Sequence, residues 1–223
     1  PVTGAIRPLP QFSRTGGTTA IPLQFEPFES YFVVFPSRTR NAMAAPNSNG
    51  KNFEEFAELM TLHNTWAISF DPSMGAPAQI QFDKLEDWTQ RPEPGIRYYS
   101  GIATYRTTFD LAQSDLPGTS RAVYLDPGQV QVMARVRVNG VDCGVAWTAP
   151  WRVDISRALK AGSNTLEIEV ANLWPNRMIG DAASQGRKFA QTTYRPYKPT
   201  DPLLPSGLLG PVRLLRTASP SPM

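Results

Sequence analysis

The strongest pattern in this chain is a series of short segments in which apolar and polar side chains alternate. Residues 165–170 alternate strictly, and residues 102–111 place Ala103, Tyr105 and Phe109 on one face. Strict alternation is typical of β-strands that bury one face against a core. The same pattern, or a run of β-forming side chains, predicts further strands at residues 66–70, 122–125, 132–138, 141–147 and 208–215. Many short strands without intervening long helices predict an all-β sandwich.

Turn residues separate these segments. Asn139-Gly140 is a strong hairpin signal, because both positions of a two-residue turn require a positive φ. Residues 154–162 predict one helical turn that ends at its glycine. Residues 53–62 carry apolar side chains at helical spacing but are too few to distinguish helix from strand. The chain holds 22 prolines in 223 residues, which exclude an all-helical bundle because an interior proline costs a helix about 3 kcal/mol. A jelly roll is the sandwich that we expect.

The first part of the chain is less regular than the rest. Apolar runs at residues 21–25 and 31–35 are predicted to pair as a β-hairpin. Residues 44–52 have the composition of a loop, and we place a domain boundary there. This boundary divides the chain into segments 1–50 and 51–223.

Charge and residue counts exclude several classes of function. The formal net charge is +3 with scattered basic residues, whereas nucleic-acid binding needs a dense basic surface. The single Cys143 and the single His63 leave no disulfide within the chain and no Cys/His zinc cluster. Neither G-x-x-x-x-G-K-[ST] nor a strand-linked G-x-G-x-x-G occurs. No run approaches the roughly 20 apolar residues of a membrane span. We therefore predict no cofactor, no nucleic-acid partner and no membrane span.

A distinctive series of motifs runs through the second half of the chain. It comprises Y-x-G-x-A-x-Y at 99–105, V-R-V-N-G at 136–140, a Pro/Trp bend at 150–151, D-I-S at 154–156, L-K-A-G-S-N and an alternating strand at 159–172, N-x-W-x-N-R-x-I-G-D at 172–181 and S-G-L-L-G-P-V at 206–212. In this order the motifs resemble the galactose-binding-like, sugar-binding jelly-roll domain of family-2-type glycoside hydrolases. They resemble in particular the C-terminal region of large bacterial α-L-rhamnosidase-type proteins. The resemblance covers roughly residues 66–215.

This resemblance implies a non-catalytic accessory domain that binds carbohydrate or braces an upstream catalytic domain of the same polypeptide. In such proteins the carboxylates that cleave the glycosidic bond belong to a separate, larger domain, for which 223 residues are too few. Because the chain starts at Pro1, we expect a mature chain or a fragment. The resemblance also implies a secreted or periplasmic bacterial protein of plant polysaccharide degradation, with residues 1–50 as the tail of a preceding β-domain. Calcium occurs in this fold class, but no D-x-D-x-D-G loop is present and we predict no metal.

Candidate sugar contacts follow from the chemistry of a pyranose. Its apolar face lies on an aromatic ring, and its hydroxyls pair with amides, carboxylates and Arg. A bend around Pro150 and the motif at 172–181 supply such groups. The candidate carbohydrate-binding residues are Trp147, Trp151, Trp174, Asn176, Arg177 and Asp181. The alternative for the second motif is a structural or interdomain role, and Trp66 and Trp88 are expected to be core or hinge residues.

Two further features leave other functions open. One group of carboxylates could supply a catalytic pair: Asp83, Glu86, Asp87 and Glu93. The alternative is that these residues form a solvated loop or a contact with another domain. The basic and aromatic residues 187–198 could contact acidic polysaccharide or single-stranded nucleic acid, or form a solvated loop. The alternatives to an accessory domain are therefore an active glycosidase fragment and a β-sandwich that only contacts protein.

Overall fold

A computed structural model describes residues 4, 6–35, 51–118 and 121–217 of the chain. The strands in these ranges are β1 (Ser13–Thr15), β2 (Thr18–Ala20), β3 (Phe56–Thr61), β4 (Trp66–Ser69), β5 (Gln79–Phe82), β6 (Ile102–Leu111), β7 (Val123–Asp126), β8 (Gln129–Gln131), β9 (Met133–Val138), β10 (Val141–Ala146), β11 (Val153–Asp154), β12 (Gly162–Ala171), β13 (Gly207–Gly210) and β14 (Arg213–Thr217). The α-helices are α1 (Pro94–Arg97) and α2 (Pro175–Ala183). Neither helix in these ranges is long and apolar enough to cross a membrane.

Two antiparallel sheets enclose one core. The larger sheet has the strand order β10-β9-β12-β6-β4-β5, and the smaller has the order β11-β7-β14-β3. Two separate two-stranded sheets pair β1 with β2 and β8 with β13. The strand pairs are antiparallel, as expected for a sandwich without parallel crossovers. The predicted all-β sandwich is confirmed.

β6 and β12 form the centre of the larger sheet. They pair along their whole length in a register that sets Tyr105 opposite Ile168. Both side chains point inward and are fully buried, while their neighbours along each strand are more exposed. Leu125 and Leu214 of the smaller sheet belong to the same buried cluster. Alternation along the sequence therefore places one face of each strand in the core, because the side chains of a strand point alternately to its two faces.

Most predicted strands are present, with one change near the end of the chain. Residues 102–111 form β6 at the predicted bounds, and Asn139-Gly140 joins β9 to β10 with φ values of 51° and 79°. Residues 53–62, where the pattern left helix and strand open, contain β3. The single strand predicted at 208–215 is wrong, because it is divided into β13 and β14. Pro211 lies between them and has no N–H to donate to a ladder.

The predicted hairpin between residues 21–25 and 31–35 is also wrong, because neither segment is a strand. The hairpin of this region lies earlier, where Gly16-Gly17 joins β1 to β2. These glycines adopt φ values of 57° and 82°, which a two-residue turn requires and which glycine reaches without steric cost. The link between the two apolar runs contains no such pair. The boundary predicted at 44–52 falls mainly on residues 36–50, which lie outside the described residues.

Asn52 ties the N-terminal segment to the sandwich. Its buried Nδ2 donates to the carbonyl oxygens of Gln11 at 2.7 Å and Pro22 at 3.0 Å, and its Oδ1 accepts from the Gln11 N–H at 2.8 Å. A second link is the ion pair of Arg152 with Glu26 at 3.1 Å. These contacts anchor the segment, although it contributes no strand to either main sheet.

Two of the helical elements concern the predicted turn and the candidate site. The turn predicted at 154–162 is present as a 3-10 turn at Ser156–Ala158. α2 follows β12 closely, and the sequence pattern does not predict it. Pro175 occupies its first turn, where the missing N–H of proline leaves no helical hydrogen bond unmade. α2 positions the candidate site.

Candidate functional site

α2 carries three of the sequence-predicted site residues. Asn176, Arg177 and Asp181 lie on this helix and all three are buried. Trp174 immediately precedes the helix and is exposed. Buried polar side chains are held by their hydrogen-bond partners, so those partners decide what each residue can do chemically.

Asn176 fastens the segment before β13 to α2. Its Nδ2 donates to the Leu204 carbonyl oxygen at 2.7 Å and to Ser206 Oγ at 2.9 Å. Its Oδ1 accepts from the Leu204 N–H at 2.8 Å. Both ends of the amide are thus used within the fold, and a sugar hydroxyl would have to displace one of these bonds. The role of Asn176 as a sugar contact stays a prediction.

A small cavity of about 150 Å³ lies beside this amide, between Asn172, Asn176 and Ser206. Asn172 is also engaged: its Nδ2 donates to the Tyr99 carbonyl oxygen at 2.8 Å, and its Oδ1 accepts from the Gly101 N–H at 3.0 Å. The two amides of the motif at 172–181 therefore hold neighbouring backbone in place rather than presenting free groups to this cavity.

Arg177 and Asp181 form a buried ion pair one helical turn apart. Arg177 Nε lies 3.1 Å from Asp181 Oδ1, but the two groups are not aligned for a hydrogen bond. The other carboxylate oxygen, Oδ2, accepts from the N–H groups of Phe189 at 2.9 Å and Ala190 at 2.6 Å. Burial lowers the pKa of Arg177, and the charge of Asp181 opposes that shift. The pair holds the segment after α2 against the helix.

A larger cleft of about 320 Å³ opens next to this ion pair. Its walls include Tyr98, Arg177, Gly180, Arg187 and Phe189. The guanidinium carbons of Arg177 and Arg187 lie 4.6 Å and 4.8 Å from the centre of the Phe189 ring. Two cations and two aromatic rings therefore line the cleft, which is a composition suited to an anionic or aromatic-stacking ligand.

The tryptophans of the prediction lie elsewhere. Trp147 and Trp174 are exposed, and Trp151 is partly buried against the core cluster. None of the three lines either of the cavities described above. Their role as sugar contacts stays a prediction, whereas Trp66 and Trp88 are core residues as expected.

The carboxylates at 83–93 hold the loop before α1 together. Glu86 and Glu93 both pair with Arg91, at 2.7 Å and 2.6 Å. Asp87 Oδ1 accepts from the N–H groups of Thr89 at 2.9 Å and Ser206 at 3.0 Å. The hydrogen bonds from Arg91 lower the pKa of Glu93, whereas the acid of a glycosidase needs a raised one. The bonding of this group is that of a structural loop.

Sequence reasoning did not assemble the cleft, although it had noted some of its parts. Arg187 and Phe189 lie in the basic segment 187–198, and Arg177 is one of the candidate sugar contacts. The contribution of Gly180 was not foreseen. A Cβ there would lie 2.5 Å from Tyr98 Cγ, and a glycine inside a helix is a signal of such a close approach.

Comparison with known proteins agrees with this architecture. Residues 96–199 match the profile of the family described as Glycosyl hydrolase 2 galactose-binding domain-like. Residues 96–199 form a glycosyl hydrolase 2 galactose-binding-like domain. The matched residues contain β6 to β12, α2 and all five of these cleft residues. Four of the five lie on α2 or in the segment after it, and Tyr98 directly follows α1.

Two similar proteins extend the likeness beyond the galactose-binding-like domain. The rhamnosidase from Novosphingobium sp. PP1Y is 41% identical with a TM-score of 0.78, over 92% of this chain and 19% of that chain. A putative beta-glucuronidase from Formosa agariphila is 35% identical over 69% of this chain and 15% of its own length. The chain therefore spans less than a fifth of either relative.

A more distant structure shares the fold. The Ruminococcus gnavus beta-glucuronidase is 19% identical with a TM-score of 0.50, over 74% of this chain and 28% of that chain. The family profile, the rhamnosidase and the putative beta-glucuronidase together support a glycosidase-associated domain.

Proposed function

We propose that this chain is a non-catalytic accessory β-sandwich of a larger bacterial glycoside hydrolase of the α-L-rhamnosidase type, and that it braces the catalytic part of that enzyme. The parent enzyme, in this proposal, is secreted or periplasmic and acts on plant polysaccharide. The proposal is supported by the rhamnosidase from Novosphingobium sp. PP1Y, of which this chain matches only 19% while the match covers 92% of the chain.

The observation that carries the bracing role is an apolar strip on the N-terminal segment. The strip consists of Phe25, Phe28, Phe32, Val34 and Phe35, all of them exposed. Phe28 is 95% exposed and Phe32 is 85% exposed. Single exposed apolar side chains are normal on a soluble domain, whereas five of them within residues 25–35 are typical of a protein contact. Covering each of these side chains contributes about 1.5–3 kcal/mol.

The strip is held in position by the sandwich. The Phe25 ring packs on Tyr31 with centroids 5.2 Å apart, and Tyr31 packs edge-on against Phe53 at 5.8 Å. The Arg152–Glu26 ion pair lies in the same segment. A positioned apolar surface fits a second protein domain better than it fits a polysaccharide, whose hydroxyls need polar partners.

The bonding of the carboxylates supports a non-catalytic role. Glu86 and Glu93 share Arg91, and Asp87 accepts two backbone N–H groups. Substrate would have to compete with these bonds to reach Glu86, Asp87 or Glu93. A catalytic pair drawn from this group would therefore need at least one of these bonded carboxylates to be released.

Catalysis is tested with the 223-residue chain. We expect no hydrolysis of aryl α-L-rhamnosides or aryl β-D-glucuronides by the chain alone. Hydrolysis that disappears in both Glu86→Gln and Glu93→Gln would instead establish the active fragment and overturn the accessory role.

Bracing is tested in the full-length parent enzyme. Phe28→Ser combined with Phe32→Ser is expected to lower its thermal midpoint by about 2 °C or more, while the same pair leaves the midpoint of the isolated 223-residue chain unchanged. Tyr194→Ser is the matched control, since Tyr194 is also an exposed ring, on a different segment. Equal midpoints for the parent and the double variant would contradict the bracing role.

A further inference from the structure

The bracing role leaves the cleft beside α2 without a function. We call it the cationic cleft and define it by Tyr98, Arg177, Gly180, Arg187 and Phe189. Its volume of about 320 Å³ is at the lower end of the size of small-molecule sites, about 300–1,000 Å³. None of its lining residues belongs to the apolar strip of the N-terminal segment.

Arg177 is the buried cation of the cleft, with only 5% of its surface exposed. Its Nε lies 3.1 Å from Asp181 Oδ1 and has no aligned hydrogen bond to the described residues. A guanidinium has five N–H donors, and leaving a buried charged donor unpaired costs more than leaving a neutral one. Arg177 lines the cleft, and its terminal nitrogens make no hydrogen bond within the described residues, so they are available to an acceptor that enters.

The charges around the cleft do not balance. Asp181 supplies one negative charge, and its Oδ2 is already held by the Phe189 and Ala190 N–H groups. Arg187 adds a second guanidinium, whose Nη2 donates to the Ser73 carbonyl oxygen at 3.2 Å. The two guanidinium groups against one carboxylate leave the cleft positive, and a low-dielectric wall strengthens the attraction for an anion.

Two glycines let the walls of the cleft pack closely. A Cβ on Gly180 would lie 2.8 Å from Arg177 Nη2 and 2.5 Å from Tyr98 Cγ. On the facing side, a Cβ on Gly75 would lie 2.6 Å from Phe189 Cζ. Any larger side chain at either position would therefore push against an Arg or an aromatic ring that forms the cleft wall.

We propose that the cationic cleft binds the carboxylate of a uronic acid residue in an acidic oligosaccharide. The guanidinium groups of Arg177 and Arg187 supply paired, charge-assisted donors for a carboxylate. Tyr98 supplies an aromatic wall for the apolar face of the sugar ring. The choice of a sugar as the carrier of the carboxylate rests on the proposed association with a glycosidase.

Titration calorimetry of the 223-residue chain tests this site. The probes are trigalacturonate, its fully methyl-esterified form, which keeps the rings and removes the charges, and a short polyglutamate peptide. We expect heat from trigalacturonate, weaker binding as salt is raised, and little or no heat from the methyl ester or the peptide. Arg187→Gln is expected to weaken binding about tenfold, the effect of one charge-assisted hydrogen bond.

Arg195→Gln is the matched control, because Arg195 is an exposed arginine of the same segment that does not line the cleft. We expect it to bind trigalacturonate like the unsubstituted chain. Equal binding of the acid and its methyl ester, no binding of trigalacturonate, or equal weakening by both substitutions would overturn the proposal. Binding of the peptide without trigalacturonate would overturn it in favour of a protein carboxylate. The titration does not involve the catalytic part, so the site and the bracing role can fail independently.

Discussion

Trp88 Nε1 donates a hydrogen bond to Tyr105 Oη at 2.6 Å, and the two buried rings lie almost parallel, with an angle of 8° between their planes. The same oxygen accepts from the Leu208 N–H at 3.1 Å. One phenol oxygen thus joins the loop after β5, the centre of the larger sheet and β13. Because all three residues are buried, this oxygen accepts hydrogen bonds from two N–H groups that water does not reach.

Replacing that oxygen tests its contribution to stability. We expect Tyr105→Phe to lower the free energy of unfolding by about 2–4 kcal/mol, since it leaves two buried N–H donors without an acceptor. Urea unfolding measures the change. Tyr124→Phe is the control, because Tyr124 is partly buried and packs on Phe56. Similar losses of stability for the two variants would contradict a stabilising role of the shared Tyr105 oxygen.

Removing the Asn176 amide tests the anchor of the segment before β13. Asn176→Ala should lower the free energy of unfolding by about 2–4 kcal/mol, because the Leu204 N–H and carbonyl lose their partner. Gln185→Ala, at an exposed position just after α2, should change stability by less than about 0.5 kcal/mol. Urea unfolding curves of the two variants check the difference. An Asn176→Ala protein as stable as the unsubstituted chain would contradict the anchoring role.

Gly180→Ala sets two opposing effects against each other. Alanine favours the helix over glycine by about 1 kcal/mol, whereas overpacking costs about 1–3 kcal/mol. The Cβ would meet Tyr98 at its Cβ and Cγ, which cannot move as freely as the end of a side chain, so we expect net destabilisation. Thermal unfolding measures the sign. Ala182→Gly, at an exposed position of the same helix, reports the propensity effect alone, and a stabilised Gly180→Ala chain would refute the close packing.

Acid should weaken the Arg91 cluster. Arg91 lowers the pKa of Glu93 below its ordinary value of 4.5, so this pair stabilises the folded chain above that pH and its contribution is lost as the pH falls through the folded value. We expect Arg91→Met to reduce the loss of stability between pH 7 and pH 3, measured by urea unfolding. Lys51→Met removes an exposed pair with Glu55 and should leave the acid dependence unchanged. A steeper acid dependence in Arg91→Met would contradict the assignment.

The strands were accessible to sequence reasoning because their signals are local. Alternation with a period of two depends on the residues of one strand, and residues 102–111 and 165–170 show it without interruption. Asn139-Gly140 likewise needs only its own positive φ values to form a turn. The N-terminal hairpin was misplaced because apolar runs at 21–25 and 31–35 look like strands until their surroundings are known. Their exposed side chains have no sheet to pair with among the described residues.

The candidate site was harder to predict because its chemistry depends on partners distant in sequence. The motif at 172–181 indicates amide, guanidinium and carboxylate groups that are near each other in the sequence. It does not show that Asn176 forms hydrogen bonds with residues 204 and 206. Nor does it show that Asp181 accepts hydrogen bonds from residues 189 and 190. Those contacts depend on how α2 packs, which no local pattern encodes.

By itself the sequence determined the all-β class, the positions of most strands and the resemblance to a galactose-binding-like domain, because period, turn residues and motif order are properties of neighbouring residues. Only the tertiary structure decided which polar side chains form hydrogen bonds within the fold and which face a cleft. Arg177 and Asn176 are adjacent in the chain and both buried, yet the amide is bonded at both ends while the guanidinium faces a cleft. The difference arises because α2 turns one side chain toward the segment before β13 and the other toward Tyr98 and Phe189.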